Sequence, residues 1–180
     1  MHGVKLSALR KESLHQNEET WLLYINLFKI LIMYMYTGLL LLHNLLRWVV
    51  LILLVVSIFQ ALTKKEGLAK TSLYLMISAH LTLLLGLYQY FTSEVAGFKI
   101  IERMGGMGSV MKDAFARFWV VEHISVMLIA IVLITIGRRK AKSLQYKPAF
   151  VLLLIALLLI LAGVPWPFRE EIARSLFPGM

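Results

Sequence analysis

The chain has 180 residues, 59% of them hydrophobic and 16% charged, with a mean hydropathy of +0.77. Soluble domains run at about 45–50% apolar and about 25% charged, and the excess here falls in long unbroken runs, which excludes a soluble enzyme and points to lipid as the solvent. The absence of cysteine excludes disulfide scaffolds and thiolate chemistry, and the net charge of +9 is better explained by topology-setting loop lysines and arginines than by nucleic-acid binding.

Residues 1–36 read as an N-terminal extension, polar and mixed in charge over 1–20, then apolar from Trp21 to Tyr36 around Lys29. That apolar stretch is short for a crossing and carries a lysine. A short fifth span and an interfacial segment are alternatives. The expectation is that the protein starts at Met33 or Met35 and that residues 1–34 add no function.

Four apolar segments follow, at about 38–62, 71–91, 114–136 and 148–164. Each is near the ~20 residues a helix needs to cross the hydrocarbon core, and no strand-like alternation is visible. The expected fold is all-α, an integral membrane four-helix bundle over residues 37–169 with an outer tail at 170–180.

Orientation follows from the connections. Lys64, Lys65 and Lys70 against Glu66 follow the first span, and Arg138, Arg139, Lys140, Lys142 and Lys147 follow the third without an acid. The loop between the second and third spans is balanced. By the positive-inside rule both basic loops are cytoplasmic, and the balanced loop and C-terminus face outward. Trp166, between Pro165 and Pro167, ends the last span as an interfacial anchor.

Ionisable groups inside a membrane are expensive and therefore functional candidates. Counted at 1.5 Å per residue from each outer helix end, His43 lies ~9 Å deep, His80 ~17 Å, His123 ~14 Å, Arg47 ~15 Å and Glu122 ~12 Å. Three histidines in the outer half suit axial ligation of haem b, with His80 and His123 the pair closest in depth and His43 the alternative. Arg47, Lys112 and Arg117 are cations for its propionates. A proton or quinone relay through Glu122 and a histidine is a second reading, and histidines that glue helices together are a third. Arg47 sits one turn from His43, placed for a propionate or for Glu122. Met104, Met107 and Met111 could offer thioethers to Cu(I), but with no Cys or loop His beside them apolar loop filling accounts for them better.

Four stretches carry a family resemblance: His-Asn-Leu-Leu-Arg-Trp from His43, Ala-His-Leu-Thr-Leu-Leu-Leu-Gly-Leu from Ala79, Arg-Phe-Trp-Val-Val-Glu-His-Ile-Ser from Arg117, and Gly-Val-Pro-Trp-Pro-Phe-Arg from Gly163. Over roughly Met35 to Arg169 the chain resembles small bacterial four-helix membrane proteins described as cytochrome b or cytochrome b-like. The resemblance implies haem binding, with His43, His80 and His123 as candidates; residues 1–34 depart from its pattern. The expected function is a haem-b-binding or electron-transfer subunit of a bacterial inner membrane, with redox membrane partners and no bond-making chemistry of its own. The alternatives are a structural or assembly subunit, and a small transporter or proton relay.

Overall fold

The computed structural model describes residues 2–174, with side chains from Asn17 onward. Among these residues all regular structure is helical: α1 (His2–Leu62), α2 (Leu68–Thr92), α3 (Lys99–Arg103), α4 (Met107–Lys112), α5 (Ala114–Arg117), a π turn (Phe118–Glu122), α6 (His123–Lys142) and α7 (Tyr146–Gly163). Four stretches are long and apolar enough to cross a membrane: Asn17–Leu62, Leu68–Thr92, Ala114–Lys142 and Tyr146–Gly163. The expected all-α, multi-pass architecture is the one observed.

The chain divides into two units, Met1–Leu39 and Leu40–Met180. In the first, the apolar side chains from Trp21 to Met35 are exposed, Trp21 by 69%. The Thr37 hydroxyl donates to the Met33 carbonyl at 2.9 Å, one helical turn back.

The second unit is organised by one periodicity. Buried positions recur at alternating steps of three and four residues: Val50, Leu54, Ser57 and Ala61 on α1; Leu68, Ser72, Leu75 and Ala79 on α2; Ala130, Ile134, Gly137 and Ala141 on α6; Ala149, Leu153, Ala156, Ile160 and Gly163 on α7. A repeat of 3.5 residues marks helices packed along a narrow seam with a left-handed twist. Lipid offers little hydrophobic drive for association, so the helices are held by close van der Waals packing, which small residues permit. A Cβ on Gly137 would stand 3.0 Å from Leu153 Cδ2, and one on Gly163 would stand 2.6 Å from Met127 Cε. Both glycines let α6 and α7 approach each other.

The two basic ends close tightly. After α1, Lys64 takes a left-handed conformation (φ 52°), and the Lys65 amide donates to the Gln60 carbonyl at 2.9 Å. After α6, Leu144 does the same (φ 54°), with the Gln145 amide on the Lys140 carbonyl at 3.0 Å. These six-to-one bonds satisfy helix-end carbonyls and turn the chain within a few residues. At the opposite end the 93–113 loop folds over its own small core of Ile100 and Val110, against which Met104 packs, while Met107 and Met111 are exposed. Gly97 (φ 96°) is obligatory there, because a Cβ would fall 2.2 Å from the Tyr90 carbonyl oxygen.

Candidate functional site

Continued away from the basic ends, each seam becomes polar or small: His43 and Arg47 on α1, Thr82 and Gly86 on α2, His123 on α6, and Gly163 on α7. His43 Nδ1 lies 3.2 Å from the Thr82 carbonyl oxygen. A Cβ on Gly86 would stand 3.1 Å from His43 Cε1, so the missing side chain makes room for the ring. His123 Nδ1 lies 2.8 Å from the Gly163 carbonyl oxygen. Gly163 is the last residue of α7, and the imidazole takes up a carbonyl that the ended helix leaves without an amide partner.

A carbonyl only accepts, so in both rings Nδ1 is the donor, and in the neutral imidazole Nε2 then keeps its lone pair. Arg47 is within electrostatic reach of both imidazoles, and His43 and His123 are within reach of each other. The Arg47 guanidinium also lies 5.6 Å from the Trp48 ring centre, and Trp48 meets Trp166 edge-on at 6.4 Å. α1 thereby contributes an imidazole, a guanidinium and an indole to one end of the bundle.

His43 and His123 thus both stand on the buried seams of their helices, and His80 does not. His80 follows the buried Ala79 by one residue, which turns it about 100° off the seam. It is exposed, and its Nδ1 bonds to the Met76 carbonyl of its own helix at 2.8 Å. Similar depth does not amount to a shared site when helix faces differ.

His123 is preceded by the π turn, where the His123 amide bonds back to the Phe118 carbonyl. Such a turn inserts a residue and rotates what precedes it, and it frees a carbonyl. The Tyr90 hydroxyl of α2 donates to the Val120 carbonyl within the turn at 3.0 Å. Phe118 and Trp119 each pack 5.7 Å from the His123 ring centre. The turn also brings Glu122 back to Arg117, Nε to Oε1 at 2.7 Å, while Arg117 Nη1 donates to the Met111 carbonyl at 3.1 Å. Arg117 thus binds within its own segment, and Lys112 is exposed at the end of α4.

Beside this segment lies a cavity of about 360 Å³, lined among others by Arg117, Phe118, Glu122, Arg169 and Glu171. Arg169, missed in the sequence, stacks over the Phe118 ring at 5.0 Å and donates to the Ala162 carbonyl at 2.9 Å. No three His, Cys, Asp or Glu side chains among the described residues gather closely enough to form a metal site by themselves. In comparisons with known proteins, no family model, no curated protein and no solved structure matches the chain.

Proposed function

We propose that the chain is a non-enzymatic haem-b-binding subunit of a bacterial inner membrane, holding the group between His43 and His123. One observation carries this reading: two imidazoles on different helices each have Nδ1 tied to a carbonyl of a further helix, which orients the ring and reserves Nε2. Tying the far nitrogen of a ligating histidine in this way fixes its tautomer and raises its basicity. The donor set fits haem, because two neutral imidazoles in apolar surroundings are its b-type axial ligands. When bound, haem would supply one-electron exchange with a redox partner in the membrane. Arg47, within reach of both rings, and Arg169, nearer the outer surface, are the cations suited to its propionates.

The test is the visible spectrum of detergent-purified protein from haem-replete cells, before and after dithionite. A sharp reduced α-band lost in His43→Ala and His123→Ala but kept in His80→Ala is expected. A colourless wild-type protein overturns the proposal.

The same two bonds favour a second reading. They cross from α1 to α2 and from α6 to α7, so they also brace the bundle as a structural or assembly subunit would require. A colourless protein that purifies with a partner and needs both histidines for folding supports that alternative.

A further inference from the structure

The bundle has a second polar layer at its basic end. The Tyr90 hydroxyl meets the Val120 carbonyl; stepping eighteen residues away from each, in opposite chain directions, reaches Ser72 and Arg138. His43 meets Gly86, and fourteen residues from each lie Ser57 and Ser72. Antiparallel register therefore sets Ser57, Ser72 and Arg138 at one level, with Gln60 within one turn.

This layer is under-satisfied. The Arg138 Nη1, Ser57 Oγ and Gln60 Oε1 atoms are buried without a hydrogen-bond partner, and Ser57 is fully buried. Ser72 turns its hydroxyl to the Leu68 carbonyl at 2.7 Å. A buried guanidinium nitrogen left alone is costly, and its natural complement is an anionic oxygen. No carboxylate among the described residues supplies one. The two adjoining connections hold eight bases against Glu66 alone, and none of the eight is ion-paired among the described residues. The left-handed turns at Lys64 and Leu144 keep those connections short, so the charge stays against the membrane surface.

We infer that this end of the bundle binds an anionic phospholipid with a hydroxylated headgroup, of the phosphatidylglycerol type. Its phosphate accepts from the Arg138 guanidinium, and a headgroup hydroxyl donates to the Gln60 carbonyl oxygen. Lipid is the source because the basic collar lies where headgroups lie, and lysines and arginines there are drawn to an anionic surface. The neighbouring Ile136 is exposed, which leaves an apolar contact for an acyl chain near Arg138.

The full chain is placed in phosphatidylcholine nanodiscs with and without phosphatidylglycerol, and retained lipid is counted by native mass spectrometry alongside a thermal melt. Wild type should retain phosphatidylglycerol preferentially and melt higher with it. Arg138→Gln should weaken the preference by about tenfold, while Arg139→Gln, on the exposed face, changes it less than about twofold. Equal losses in the two variants would mean diffuse charge and overturn the site. So would the absence of a preference in wild type, or an equal thermal shift from inorganic phosphate in phosphatidylcholine discs. Should Arg138→Gln fail to accumulate, Arg138→Lys keeps the charge without the planar fork; an undiminished preference there also refutes the assignment.

Discussion

His123 of the third span holds the end of the fourth: its Nδ1 sits 2.8 Å from the carbonyl oxygen of Gly163, the last helical residue of α7. One imidazole thus serves as both a seam residue and a helix cap. His123→Ala should cost about 1–3 kcal/mol, the usual cost of leaving a buried acceptor unpaired. His80→Ala, on the exposed face, should stay within about 0.5 kcal/mol. Thermal melts in detergent would measure both, and the reverse ranking would contradict the placement of these two rings.

Gly163→Ala tests the closeness of α6 and α7. The new methyl group would press on Met127 Cε at 2.6 Å and Val126 Cγ1 at 3.1 Å. Overpacking of this kind costs about 1–3 kcal/mol. The nearer obstacle is the tip of a flexible side chain, so Met127→Ala in the same protein should recover part of the loss, with a coupling of at least about 0.5 kcal/mol. Strict additivity would show that the helices separate instead.

The Arg117–Glu122 pair should matter little to stability. Its side chains are 36% and 42% exposed, and pairs of that kind contribute about 0–1 kcal/mol. Glu122→Gln is expected to cost less than about 1 kcal/mol, and the loss should shrink in high salt. A salt-independent loss above about 2 kcal/mol would mean that the carboxylate is held away from water.

Leu144 is a non-glycine residue in a left-handed conformation, which costs about 1–2 kcal/mol for an L side chain. Leu144→Gly removes that strain at an entropic cost of about 0.5–1 kcal/mol, so the variant should match or exceed wild type. The β-branched Leu144→Val should be less stable than either. Melting temperatures ranked otherwise would remove the six-to-one turn from the end of α6.

The chain has no cysteine, so single introduced thiols report topology without background. A thiol at Ser143, among the basic residues, should be protected from a membrane-impermeant reagent in intact cells, and one at Ser109 should react. The opposite labelling would invert the orientation.

The four spans were legible because apolar runs of that length have few other solutions in lipid. The candidate site was legible only in part. Depth along each helix places His43, His80 and His123 together, yet depth ignores azimuth. The three-and-four spacing that runs through Leu68, Ser72, Leu75 and Ala79 reaches Thr82 and Gly86 and passes over His80. The same spacing through Ala130, Ile134 and Gly137 leads back to His123, and through Val50 and Leu54 to Arg47 and His43. The seam, read along each helix, carries His43 and His123 and leaves His80 on the exposed face. The π turn at Phe118–Glu122 had no comparable signal. A carbonyl within it accepts from Tyr90, thirty residues earlier in the chain, and no local pattern announces that contact.

Between the two polar layers, the seam from Val50 to Leu54 on α1 faces Leu75, Ala79, Ala130, Ile134, Leu153 and Ala156, with nothing ionisable among them. Arg47 and Ser57 are ten residues apart, or about 15 Å of helix. Among the described residues no side-chain hydrogen bond crosses that buried seam, and His80, at a similar depth, is turned away from it. In this conformation the seam is an apolar partition: the imidazoles at one end and the Ser57–Arg138 layer at the other share no hydrogen bond among the described residues.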